Sequence, residues 1–361
     1  MSIIKNLFVG TAVAATTALL SGVALADKFT LRIGSGHPNG PAVYVTDTAK
    51  FFVPEVTKRV AAETSHEIEF VEGYGGAIAG VAETLEAVQN GILDIGVYCM
   101  CFEPAKLFLH NFPYYAPFGP QDSSEAMKAV RAVYNEVPEL TSIFEKKYGQ
   151  TLLGLHGWDN YHLGTTDPWD TVDDLKGVKV GGAGPNLPWL EYAGAIPVQS
   201  TLPDGYMSLQ TGVYNGWLMF PSAYLGFKFH EPAPNYTLIG FGAMGVNAMT
   251  MNSRSLKKLP DDVQKIIREV GAAYEAQAGA SLNAAQQRGL KGLKEIGASV
   301  KSLDESARAG WAKSLDEFPV KQAKEADSRG LPGSQVMKAY IKAVSDTGYA
   351  WPHEYPVSQL N

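Results

Sequence analysis

Two stretches far apart in the chain are built alike: Val88-Gln-Asn-Gly91 followed by Ile92-Leu-Asp94, and Leu209-Gln-Thr-Gly212 followed by Val213-Tyr-Asn215. Each closes a helical pattern on a glycine and restarts as an apolar, strand-forming run. Glycine suits that position because it reaches the left-handed backbone region that ends many helices. The same helix-to-strand unit therefore occurs once in each half, in a strand–helix–strand context. Such alternation implies two similar α/β lobes with parallel pairing and right-handed crossovers.

Taken in order, residues 29–33 read as a strand, followed by the turn Gly34-Ser-Gly-His-Pro-Asn-Gly-Pro41 and a helical pattern to about residue 63. The G-x-G-x-x-x-G spacing departs from the dinucleotide fingerprint, so nucleotide binding is not indicated. His37 in that turn is either ligand-facing or solvated. Further strands are expected at 67–72 and 92–97, an aromatic and proline-rich stretch at 102–120, and helices across 123–148. The rhythm restarts near Thr151, with 157–161 read as a loop and 162–165 as extended. In Leu175-Lys-Gly-Val-Lys-Val-Gly-Gly-Ala-Gly-Pro-Asn-Leu-Pro-Trp-Leu190, a strand runs into a glycine-rich turn and a helix starting at Pro185. That turn is either a ligand cradle at a strand end or a tight structural turn. Strands at 236–241 and 246–251 would return the chain to the first lobe. Pro260 opens a helical pattern to about residue 295, long enough to lie across both lobes. The aromatic tail, Trp351 to Pro356, is expected to dock.

Residues 1–26 carry one charge, Lys5, an apolar run from Leu7 to Leu20, and Ala24-Leu-Ala26 before Asp27. This is the pattern of a cleaved secretory signal. An uncleaved anchor is the competing reading, weakened by Thr11, Thr16, Thr17 and Ser21. The expected organisation is signal 1–26, lobe I 27–151 with a return segment at about 241–275, and lobe II 152–240 completed by about 276–361. A net charge of −7 without a basic stripe argues against nucleic acid or an anionic membrane surface as partner. Cys99 and Cys101 are the only cysteines. A bridge across so small a loop is strained, so two buried free thiols are expected, and neither a metal nor a cofactor is indicated. The motifs G-x-S-x-G and H-E-x-x-H are absent and the seven histidines are scattered, which disfavours an exported enzyme.

The order Val88-Gln-Asn-Gly-Ile-Leu-Asp94, Val172-Asp-Asp-Leu-Lys-Gly-Val-Lys-Val180, Ala195-Ile-Pro-Val198, Tyr206-Met-Ser-Leu-Gln-Thr-Gly-Val-Tyr-Asn-Gly216 and then a long helix resembles the solute-binding proteins of TRAP (tripartite ATP-independent periplasmic) transporters. The resemblance covers the whole chain after the signal. It implies a type II-like periplasmic binding protein: two α/β lobes joined by hinge strands, spanned by a long helix and closing on an organic solute. It further implies delivery to TRAP permease subunits in the membrane, with no insertion of the receptor itself after signal cleavage. A receptor for an ATP-driven importer is disfavoured by the motif order.

The resemblance also exposes departures. The family's carboxylate-clamping arginine falls at Gly181, its usual asparagine at about Met219, a second arginine of some members near Tyr161, and an aspartate at Asn215. Losing a charged hydrogen bond of about 1.5–3 kcal/mol removes on the order of a hundredfold in affinity for an organic acid. Near the expected cleft the chain instead offers Tyr74, Tyr98, Trp158, Tyr161, Trp189, Trp217, Phe220 and Tyr224, with Asp159 and Asn186 beside them. Together with Gly181 and Met219, and leaving Trp217 as a cleft position only, these are the candidate ligand residues; Trp158, Trp189 and Phe220 are favoured because they follow strand ends. Aromatic walls suit an aromatic or largely apolar solute, or a quaternary ammonium held by cation–π contact.

Overall fold

Alternation in the first strand, with Leu31 and Ile33 buried and Thr30 and Arg32 exposed, sets one face of a sheet against the core. The computed structural model describes residues 27–191 and 193–360, so the expected signal segment lies outside the described residues. Its strands in chain order are β1 (Lys28–Gly34), β2 (Glu67–Gly73), β3 (Ile95–Cys99), β4 (Gln150–Trp158), β5 (His162–Thr165), β6 (Lys179–Gly182), β7 (Ile196–Gln199), β8 (Gly216–Met219), β9 (Asn235–Leu238), β10 (Met244–Asn252) and β11 (Ser299–Ser302).

They form two sheets, ordered β2-β1-β3-β10-β4 and β11-β9-β5-β8-β6-β7. In the first, β1 runs parallel to β2 and β3, and β10 lies antiparallel between β3 and β4. In the second, β6 runs parallel to β7 and β8, while β5 is antiparallel to β8 and β9. The repeated unit is one structure used twice. Gly91 and Gly212 both adopt φ +72°, and the next residue's N–H returns to the helix, Ile92 to Ala87 and Val213 to Ser208.

The chain crosses between the sheets three times, by the short segments 159–161 and 239–243 and by the long helical passage from β10 to β11; the two short crossings lie side by side. These two pair with each other: Tyr161 N–H donates to the Gly242 carbonyl and Phe241 N–H to the Tyr161 carbonyl, each at 3.1 Å. Asn160 Oδ1 accepts from Gly242 N at 2.9 Å. The buried Arg308 guanidinium donates to the carbonyls of Ile239 and Gly240. Because β4 belongs to the first sheet, the passage into the second lies at 159–161 and not at 151/152. Gly157 and Trp158, expected in a loop, end that strand, since Trp158 pairs with Met244 on the distant β10. Pairing with a remote strand leaves no local signal.

The long helix, Asp261–Glu295, takes the expected bounds and bridges the lobes. A Cβ at Gly271 would fall 2.5 Å from the Leu153 carbonyl on β4, and one at Gly289 2.5 Å from the Pro221 carbonyl carbon in the second lobe. Side chains are excluded where the helix touches each half. The helical stretch 123–148 is split at Pro138 into Ser123–Glu136 and Glu139–Tyr148, because proline favours a new helix start. The helix expected from Pro185 is a 3-10 turn, Gly184–Asn186, and one helical turn, Pro188–Glu191. The C-terminal helix Gly333–Asp346 packs on Ser123–Glu136, and the tail docks through Tyr355, whose hydroxyl donates to the Pro117 carbonyl.

One expectation fails outright. Cys99 and Cys101 form a disulfide. The chain leaves β3 at Cys99 into a 3-10 turn, Met100–Phe102, which sets the two Cα atoms 5.1 Å apart, inside the roughly 4.4–6.8 Å window for a bridge. Strand geometry ends at Cys99 and does not continue through Cys101.

Candidate functional site

Several strand ends meet at the gap between the sheets, the place where open α/β sheets bind ligands. His37 follows β1, Cys101 and Phe102 follow β3, and Trp158 ends β4. From the other side come Ala183 and Asn186 after β6, Leu202 at the start of the helix Leu202–Gln210, and residues 217–220 on and just after β8. Tyr161 stands on the crossing between them. They line a narrow crevice with a cavity volume of only about 20 Å³.

Aromatic rings fill most of it. Trp158 from the first lobe stacks on Phe220 from the second, centroids 4.8 Å apart and planes 20° from parallel. Tyr161 meets Phe220 edge-on at 5.1 Å, and the His37 ring stands edge-on to Phe102 and Trp158. Trp158 Nε1 donates to Cys99 Sγ at 3.4 Å, so the disulfide backs the wall.

The polar groups here are few and neutral. His37 Nδ1 lies 2.8 Å from the Tyr44 hydroxyl, which is itself 3.1 Å from Ser35 Oγ. Burial pushes the His37 imidazole down to about 4, so it carries no charge at neutral pH. His37 Nε2, Asn186 Oδ1 and Trp217 Nε1 are buried without hydrogen-bond partners. Leaving such a group unpaired costs about 1–3 kcal/mol each. Among the described residues, the lining includes no Asp, Glu, Lys or Arg.

Of the residues singled out from sequence, Trp158, Tyr161, Asn186, Met219 and Phe220 come together here. Trp217, named only in passing, lines the crevice, and so does His37, left open between ligand and solvent. Gly181 lies beneath Trp217: a Cβ there would be 2.6 Å from the indole. Asp159 is buried on the crossing, where it accepts from Ser222 Oγ at 2.6 Å and Ser222 N at 3.2 Å, and burial pushes its carboxyl up to about 7. The others sit elsewhere. The Tyr98 hydroxyl pairs with Thr250 inside the first lobe, and Tyr224 donates to the Ala233 carbonyl inside the second. Trp189 donates to the Tyr114 carbonyl and stacks on Phe241, and half-buried Tyr74 lies at the start of the turn after β2, outside the lining. Aromatic character alone did not separate core rings from crevice rings. Cys101, Phe102, Ala183, Leu202 and Leu218 were missed; Cys101 carried a usable signal, its place just past a strand end.

The model of the family described as bacterial extracellular solute-binding protein, family 7, matches residues 43–325. The chain belongs to that family. Among characterised relatives, the C4-dicarboxylate-binding periplasmic protein DctP of Rhodobacter capsulatus is 22% identical over 290 residues, covering 73% of this chain and 86% of its own. A marine metagenome TRAP solute-binding protein described as specific for aromatic acid ligands, solved with 3-hydroxybenzoate, superposes with a TM-score of 0.77 at 22% identity, covering 89% of this chain and 99% of that one. A TRAP solute-binding protein of Rhodoferax ferrireducens, solved with benzoate, gives 0.78 at 18% identity, covering 88% and 98%. The family bears out the resemblance to TRAP solute-binding proteins and the two-lobed α/β fold. At Gly181, where the resemblance places an arginine, the indole of Trp217 on the neighbouring strand takes the side chain's space.

Proposed function

We propose that this receptor, exported to the periplasm, captures an aromatic or largely apolar organic solute between its lobes and delivers it to a TRAP permease in the membrane. The observation that carries the ligand reading is the Trp158–Phe220 stack, one ring from each lobe, at the shared strand ends. A planar solute inserted between these rings replaces one aromatic contact with two. The small free volume means the walls must part to admit it and close afterwards. A solute that contacts both walls favours the closed arrangement over an open one, which is the requirement for a ligand to shift that population.

Magnitudes support a mixed site. Burying about 150 Å² of aromatic surface contributes roughly 4 kcal/mol, equivalent to millimolar binding. Tighter capture needs the polar atoms of His37, Asn186 and Trp217. Two acid-binding structural relatives hold benzoate and 3-hydroxybenzoate, ligands whose ring would suit these walls. Calorimetry and tryptophan fluorescence with a panel of aromatic and aliphatic solutes test the proposal. Binding of aromatic members that weakens at least tenfold in Phe220→Ala is expected. Tight binding of aliphatic dicarboxylates alone would remove the aromatic reading.

A further inference from the structure

We infer that the crevice selects an uncharged solute: a planar aromatic compound bearing a neutral polar group that both accepts and donates hydrogen bonds, such as an amide. This narrows the aromatic-capture reading above and depends on it.

Three lining residues, His37 and Asn186 at 1% exposure and Trp217 at 0%, each keep one polar atom without a partner. Their chemistry defines the complement. An indole N–H only donates, an amide oxygen only accepts, and His37 Nε2 does one or the other according to which nitrogen holds the proton. A matching solute group offers an acceptor to Trp217 and a donor to Asn186. A primary carboxamide carries both, its oxygen and its NH2 on one carbon.

Charge selects against the alternatives. A carboxylate entering this crevice gives up its hydration and meets no cation among the lining residues. It also cannot donate to Asn186 Oδ1. The guanidinium that the family resemblance places after the β6 strand is replaced by Gly181, and the Trp217 ring stands over that glycine. A quaternary ammonium would gain contact with the rings but could not accept from the Trp217 N–H, which would remain buried and unpaired.

The test compares isosteres on the intact secreted receptor by calorimetry at pH 7.5: benzamide against benzoate, 3-hydroxybenzamide against 3-hydroxybenzoate, and phenyltrimethylammonium as the cation. Each amide is expected to bind at least tenfold more tightly than its acid and than the cation. Trp217→Phe, which keeps a ring and removes the N–H, should weaken the amides about tenfold, as should Asn186→Leu as an independent variant. Acids or the cation binding as tightly as the amides would overturn the inference while leaving aromatic capture standing. Binding of aliphatic acids alone would instead overturn aromatic capture, and the inference with it.

Discussion

Gly181 and Trp217 share one space. They are register partners on β6 and β8, and a Cβ on residue 181 would lie 2.6 Å from Cε3 of the indole and 2.9 Å from Cζ3. Gly181→Arg must therefore displace a fully buried ring. Overpacking of this kind costs about 1–3 kcal/mol, so the variant should unfold at lower temperature than the native chain. Adding Trp217→Gly relieves the clash at the cost of a cavity, so the double variant stays less stable than the native chain, but it should gain affinity for benzoate, whose carboxylate can then pair with the arginine. A single variant as stable as the native protein would show that residue 181 is not covered.

Asp159 ties the first crossing to the start of the helix Pro221–Gly226. Burial raises its carboxyl to about 7, against about 3.9 in an unfolded chain, although the Ser222 hydrogen bonds pull the other way. The folded protein thus keeps a proton that the unfolded chain releases between those values. Its contribution to stability is fully present below about pH 4 and is lost as pH rises through 7. Buried His37, His110 and His162, all pushed down by burial, act in the opposite sense, so the comparison must be made against Asp159→Asn. The stability of the native chain relative to that variant should fall by on the order of 4 kcal/mol from pH 4 to pH 7, read by urea denaturation. A flat difference would show that the carboxyl ionises normally.

Contact between the long helix and the second lobe depends on Gly289. Its Cβ position is 2.5 Å from the Pro221 carbonyl carbon, so Gly289→Val should destabilise by about 1–3 kcal/mol. Gly310, in the helix Glu305–Ser314, has nothing within 4 Å, and Gly310→Ala should stabilise by about 0.5–1 kcal/mol. Thermal unfolding of both variants should show shifts of opposite sign.

The Cys99–Cys101 bridge closes a loop of three residues, for which chain entropy gives about 1.5 kcal/mol. Replacing both with serine should lower denaturant stability by about that amount. It should also change the emission of Trp158, whose indole N–H loses a sulfur partner. Labelling by a thiol reagent without prior reduction would contradict the bridge.

Periodicity and punctuation determined much of this receptor before any contact was known. The glycine-ended helix at 91 and its counterpart at 212, the strand cores and the long helix to Glu295 all depend on neighbours within a few residues, so local pattern specifies them. The motif order pointed to the family, and Gly181, at the position where the resemblance places an arginine, was visible as a single letter. Only the tertiary structure decided which aromatics meet between the lobes. Tyr98, Trp189 and Tyr224 look like Trp158 and Phe220 in sequence, yet their surroundings come from strands and helices remote in the chain. The same holds for the disulfide and for the passage between lobes at Asp159, since a turn or a pairing with distant β10 is set by packing energy shared across the molecule. Neither leaves a mark on the residues beside it.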